Sequence, residues 1–359
     1  MERKSSRPVA IWLMTGVVMI IIQIILGGIT RLTGSGLSIT EWDVITGALP
    51  PLHKEQWVEE FNKYKQTSQY RLLNADFTIN NFKFIFFWEW FHRLWGRLIG
   101  IVFFIPFVLF LIQKRFRSDM VVPLAILFLL GALQGAVGWI MVASGLTGDA
   151  IYVRPTRLAM HFIFAIGLLF YTYWFALKLI VKEESKVNYP GLKKLTWLII
   201  AVLFIQLIYG ALMAGHKAAP AAPTWPDING AIFPAYVFNR PEGWKSIIDN
   251  PIVIHFIHRT LAYILVLLVL LWTVLSLRLR SSNLFLKVRF LPVVFILLQL
   301  ILGILTVLFS LKIMPAQWGA FEWMAQLHQV VAFFFLLALS LNLYLLTGKK
   351  KSNYIAAID

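Results

Sequence analysis

The chain has 359 residues, of which 59% are hydrophobic and only 14% charged, whereas an average soluble domain carries about 25% charged residues. That balance excludes an ordinary water-soluble enzyme and a disordered tail protein. The net charge of +16 would suggest nucleic acid in a soluble chain, but in an apolar one it reports topology. Cysteine is absent, so disulfides, thiolate metal sites and cysteine nucleophiles are excluded. Seven histidines remain for metal or redox chemistry.

A membrane-crossing helix needs about 20 mostly apolar residues. In chain order the qualifying segments are Val9–Ile29, Phe84–Ile112, Val121–Ala143, Arg157–Ile180, Leu195–Ala214, Ile252–Leu277, Phe290–Ser310 and Phe321–Thr347. The first reads as an uncleaved signal anchor. Basic residues collect at alternate ends: Arg3, Lys4 and Arg7; Lys114, Arg115 and Arg117; Lys178, Lys182, Lys186, Lys193 and Lys194; Arg278, Arg280, Lys287 and Arg289; Lys349, Lys350 and Lys351. By the positive-inside rule both termini are cytoplasmic, and nucleic acid is not needed to explain the charge. Two long outer loops follow, at about 30–83 and 215–251. In the first, the Gly-rich run Gly27–Ser38 lacks the ending of a phosphate loop and reads as a cap with Trp42 and Asp43. Residues 54–71 place Trp57, Phe61 and Tyr64 at helical spacing, an amphipathic helix lying on the outer surface.

The four odd-numbered spans share Gln-x-x-x-Gly: Gln23–Gly27, Gln134–Gly138, Gln206–Gly210 and Gln299–Gly303. The even-numbered spans carry His92, His161, His258 and His328, with 166 residues from His92 to His258 and 167 from His161 to His328. The fold class is therefore an all-α integral membrane protein of eight spans, arranged as two tandem pseudo-symmetric four-helix bundles, residues 1–185 and 186–359.

Each repeated histidine falls early in a span that starts at the outer face and is followed four residues later by a small one: Gly96, Ala165, Ala262 or Ala332. Four residues are about one turn, which leaves a gap beside the imidazole for a flat macrocycle. Two such histidines from two helices describe an axial haem site, and four describe two sites. A proton relay competes with this reading; zinc is weaker because ligand-spaced carboxylates and thiolates are missing. The halves differ at one position: Glu89-x-x-His92-Arg93 against His255-x-x-His258-Arg259. Glu89 is thus the candidate proton acceptor, with an ion pair to Arg93 or Arg97 as its structural alternative. Arg93, Arg157 and Arg259 stand where they could neutralise haem propionates. His53 reads as solvated, and His216 and His255 have no assigned role.

These residues together resemble haem A synthase in its mitochondrial and Gram-negative, cysteine-free form. The matching stretches are Gly28-x-Thr30-Arg31-Leu32-Thr33-Gly34-Ser35-Gly36-Leu37-Ser38, Glu89-x-x-His92-Arg93, His258-Arg259 and His328-Gln329. The resemblance implies an inner-membrane oxidoreductase of cytochrome oxidase assembly. Its reaction converts haem O to haem A by successive hydroxylation of the methyl at porphyrin carbon 8. It implies His92 and His161 as ligands of the substrate iron, Glu89 as essential to oxidation, and His258 and His328 as ligands of one resident haem b. A farnesyl-adding haem O synthase and an electron-transfer protein are the implied partners, in a lipid setting, with a homo-oligomer left open. A dihaem b-type electron-transfer cytochrome and a haem transporter remain as alternatives. The cysteine pair that many Gram-positive members carry in an outer loop is missing here, and Lys217–Pro223 departs from the expected form.

Overall fold

The computed structural model describes residues 7–41, 46–239, 243–279, 282–313 and 318–348. Arg3, Lys4, Trp42, Asp43, Arg280 and Lys349 to Lys351 lie outside them. Among the described residues eight long helices are present: α1 (Arg7–Leu32), α2 (Ile79–Ile112), α3 (Ser118–Ala143), α4 (Pro155–Ile180), α5 (Pro190–Gly215), α6 (Pro251–Leu277), α7 (Leu291–Leu308) and α8 (Ala320–Leu345). All eight are long and apolar enough to cross a membrane, the seventh counted together with the short helix Asn283–Val288 before it. The chain is thus a multi-pass membrane protein, all-helical, and among the described residues two isolated bridges are the only β pairing. A helix satisfies its own backbone groups, as the hydrocarbon interior demands.

Local chemistry marks the helix starts. Proline occupies the first turn of α4, α5, α6 and α7, where its missing N–H and fixed φ cost nothing. Thr78 accepts from the Asn81 amide at the head of α2, and Asn250 accepts from the Ile252 and Val253 amides at 3.0 and 3.2 Å at the head of α6.

Helix contacts close two rings. In one, α1 touches α2, α2 touches α3, α3 touches α4, and α4 returns to α1. In the other the same cycle runs α5, α6, α7, α8. The rings meet where α4 packs on α5 and α8, and α1 packs on α8. The largest buried cluster lies on this seam and includes Ile166, Leu169, Ile199, Trp272, Phe333, Phe335 and Leu339. The outer surface keeps Leu109, Ile112, Val122, Leu129, Leu267 and Ile301 exposed, the apolar faces that hydrocarbon covers.

Two expectations change. The helix expected over 54–71 is two, Lys54–Lys65 and Ser68–Leu73, broken where Thr67 turns to cap the second. Its aromatic stripe is the buried face: Trp57, Phe61 and Tyr64 pack on Phe82, Ile85 and Phe86 of α2. Those contacts extend α2 to Ile79, so His92 lies between three and four turns in. The other three histidines lie within about two turns of their helix starts.

Candidate functional site

Each of the four repeated histidines meets the glutamine of the preceding helix. Gln23 Nε2 lies 3.3 Å from His92 Nε2, Gln134 Nε2 3.2 Å from His161 Nδ1, Gln206 Nε2 3.4 Å from His258 Nε2, and Gln299 Nε2 3.4 Å from His328 Nε2. The glycine one turn further along faces the same imidazole. A Cβ built at Gly27, Gly138, Gly210 or Gly303 would stand 3.2, 2.8, 3.4 or 3.0 Å from the ring Cε1. Gln-x-x-x-Gly is therefore a histidine clamp, with an amide for the ring nitrogen and a missing side chain for the ring edge. Sequence reasoning took the repeat as a mark of tandem halves and gave it no contact with the histidines; the signal was that each copy precedes one histidine-bearing helix. The small residue after His92 has a different neighbour from the one expected, because a Cβ at Gly96 would stand 3.3 Å from Gln23 Nε2.

The histidines form two pairs. The His258 and His328 ring centres are 6.4 Å apart, 71° between planes, and His92 and His161 lie within electrostatic reach of each other. Among the described residues no three His, Asp or Glu side chains converge on one point. A macrocycle supplies its own equatorial nitrogens, so two imidazoles suffice for it. An imidazole nitrogen about 2 Å from a metal on each face of such a ring puts the two ring centres about 6 Å apart, close to the separation found. Nδ1 of His92, His258 and His328 is buried with no hydrogen-bond partner, an exception that a further ligand would account for.

Glu89 is 2% exposed. Its Oε2 accepts from the Ser38 amide at 2.7 Å, the Ser38 hydroxyl at 2.7 Å and the Ile39 amide at 3.0 Å. Its Oε1 accepts from Arg93 Nη2 at 2.5 Å. Arg93 also donates to the carbonyls of Ile39 and Glu41. The Glu89–Arg93 pair thus ties α2 to the loop after α1, and this ion pair is the alternative that the sequence allowed. The second half repeats the tie with other chemistry: His255, fully buried, donates to the Ala218 carbonyl at 2.8 Å. Arg259 donates to the carbonyls of Thr224, Asp227 and Ala222. His216 donates to the Ile248 carbonyl, and exposed His53 stands at the head of Lys54–Lys65. Arg157 donates to the Ile140 carbonyl.

Two cavities flank Arg93. One of about 200 Å³ is lined by Ile39, Glu41, Trp139, Val142 and Leu146; the other, of about 390 Å³, by Leu49, Pro50, Glu59, Trp90 and Arg97. Beside them, Tyr64 donates to Gln69, whose amide reaches the Gly34 carbonyl at 3.3 Å, and Asn74 donates to the Tyr64 hydroxyl at 2.7 Å. Burial is the main cause that pushes the Tyr64 hydroxyl up to about 12.

The rings also lock to each other beside the clamps. Gln326 and Gln329 of α8 donate to the Ile25 and Ile24 carbonyls of α1, at 3.3 and 3.0 Å, and Arg31 donates to the Ala214 carbonyl at 3.2 Å. Gly28 leaves the room that those two amides fill. Nothing in the sequence flagged Gln326.

Among the described residues, eight helices able to span a membrane, presenting two pairs of glutamine-clamped imidazoles, define a class: a multi-pass membrane protein with paired histidines inside its helical spans. Residues 10–340 match the family model COX15-CtaA, described as cytochrome oxidase assembly protein, and the chain belongs to that family. Among its curated relatives, a heme A synthase of Flavobacterium psychrophilum is 38% identical over 350 residues, covering 95% of this chain and 98% of the relative. One of Cereibacter sphaeroides is 40% identical over 344 residues, covering 91% and 85%. One of Rhodospirillum centenum is 42% identical over 276 residues, covering 75% and 72%. No solved structure matches the chain.

Proposed function

We propose that this chain is a haem A synthase, an oxidoreductase that converts the carbon-8 methyl of haem O to a formyl group for cytochrome oxidase assembly. The observation that carries the reading is the pair of clamped histidine sets in a chain similar over almost its full length to proteins of that name. Neither a pure electron-transfer cytochrome nor a haem transporter is favoured by those relatives.

In this reading His92 and His161 hold the substrate iron, and His258 and His328 hold a resident haem b, which supplies one-electron redox chemistry when bound. Clamped rings keep the ligand nitrogens from rotating away, which would hold the iron and the plane of the macrocycle in one place. Glu89 takes the proton released on oxidation. Its Oε2 is filled by three donors, which leaves Oε1, shared with Arg93, as the receiving atom. Arg259 serves the propionate edge of the second site, its hydrogen-bond partners all being neutral carbonyls; Arg93 serves the first site with its charge shared with Glu89.

The same reading places residues 1–185 around the substrate and 186–359 around haem b, in a bacterial inner membrane. Both termini face the cytoplasm and the histidines lie toward the outer side, on the support of Lys114, Arg115, Arg117, Lys182, Lys186, Lys193 and Lys194 at one set of helix ends. A haem O synthase would deliver the substrate and a separate redox protein would exchange electrons; self-association is compatible with the fold. The test is extraction of haem from cells expressing the chain with a haem O source, resolved by chromatography. Haem A or its hydroxylated precursor is expected, and haem-loaded protein yielding neither would overturn the assignment. His258→Ala and His328→Ala should each remove the haem b spectrum.

A further inference from the structure

The four clamps are not equal. Gln23 Nε2 also donates to the His92 backbone carbonyl at 3.1 Å, and Gln134 Nε2 to the His161 carbonyl at 2.9 Å. Those second bonds fix which end of the amide faces the ring, because turning it would aim Oε1 at a carbonyl oxygen. Gln206 and Gln299 make the ring contact alone. In all four glutamines Oε1 is buried with no partner. At Gln206 and Gln299 a half-turn of the amide presents that carbonyl oxygen to the imidazole and breaks no other hydrogen bond.

The difference matters for ligation. A metal-bound imidazole donates its other N–H to an acceptor, which raises its basicity, and removing such a partner costs about 10- to 100-fold in affinity. An amide locked with its N–H toward the ring cannot accept.

We propose that the glutamine clamps sort the two sites: Gln206 and Gln299 can act as acceptors and hold a resident iron porphyrin tightly, whereas Gln23 and Gln134 are locked as donors and keep ligation in the first half weak enough for exchange. The proposal rests on the four histidines being iron ligands and adds what makes one pair retain its porphyrin and the other release it. Gln23, Gln134, Gln206 and Gln299 are positioning residues, acting through the imidazoles.

The experiment measures loss of iron porphyrin from purified full-length protein to a haem-scavenging protein, followed optically for each site. Gln206→Leu or Gln299→Leu should speed release from the second half about 10-fold or more and change its low-spin spectrum. Gln23→Glu and Gln134→Glu, as the neutral acid, keep the bond to the histidine carbonyl through the hydroxyl and offer an oxygen acceptor to the ring N–H, and should slow release there by a similar factor. Glycine supplies an independent arm that needs no loss of polar groups: Gly303→Ala, with its Cβ 3.0 Å from His328 Cε1, should perturb the second-half spectrum. Release rates unaltered in both the Leu and the Glu variants would overturn the proposal. The reading beneath it fails separately: His92→Ala and His258→Ala leaving both spectra intact would mean that the histidines are not ligands at all.

Discussion

Replacing Glu89 by alanine removes the carboxylate shared by four donors: the Ser38 amide and hydroxyl, the Ile39 amide and Arg93. The Arg93 side chain is 12% exposed and the Glu89 side chain 3%, so water replaces little of what is lost. Breaking a buried ion pair by deleting one partner costs about 3–5 kcal/mol, because the surviving charge stays desolvated. Glu89→Ala should therefore lose on the order of 3 kcal/mol of stability as well as haem O oxidation, while the second-half haem spectrum persists. Glu89→Gln retains a carbonyl for the Ser38 and Ile39 amides and should lie between the two. In Glu89→Ala with Arg93→Ala, the second change should restore at least about 1 kcal/mol, since the guanidinium that has lost its counter-charge is then removed as well. The assays are thermal unfolding in detergent and amide hydrogen exchange at Ser38 and Ile39, which should quicken in the alanine variant. An unchanged melting temperature together with unchanged exchange would refute the clamp and leave Glu89 a purely chemical role.

At the junction of the rings, Gly28→Ala would push a methyl against Gln326 and to 2.8 Å from Gln329 Oε1. Breaking their bonds to Ile25 and Ile24 costs about 1 kcal/mol each, which exceeds the ~1 kcal/mol gained in helix propensity. Gly16→Ala, with Thr172 at 3.7 Å, should instead be neutral or stabilising, and thermal unfolding of the two variants side by side decides. Tyr64 holds its proton to about pH 12 whereas an unfolded tyrosine releases it near 10. The folded state therefore binds the extra proton between those values, and stability should fall as pH rises from 10 to 12. Tyr64→Phe should flatten that fall, and identical slopes in parent and variant would remove Tyr64 as its cause. For topology, a cytoplasm-active reporter fused at Ser118, directly after Arg117 in the α2–α3 turn, should be active, and one inserted at Leu72 in the first outer loop inactive.

Hydropathy alone locates all eight spans, since hydrocarbon admits almost nothing else of that length. It misplaces the start of α2, where Ile79 to Lys83 belong to the helix because Phe82 and Phe86 pack on Phe61 and Tyr64. That contact depends on how a loop helix folds back, which no local pattern encodes. The histidines are legible for a similar reason: four copies at one spacing carry more information than one. Their clamps are visible only as a pattern, because what Gln23 touches depends on where α2 sits beside α1. The partners of Glu89 are harder still, since two of its four donors are backbone amides, Ser38 and Ile39, and every residue but proline carries one.

One segment of α1 serves both halves. Gln23 and Gly27 face His92, and the Ile24 and Ile25 carbonyls with Gly28 face Gln326 and Gln329, the latter adjacent to His328. Successive residues of a helix are turned by about 100°, so one inserted or deleted residue between Gln23 and Gly28 cannot preserve both faces. It takes either the amide from His92 or the carbonyls from α8. The two histidine sites are thus held in register by six consecutive residues, and the Gly27-Gly28 pair is the place where that requirement reaches the sequence: each glycine makes room for a different half.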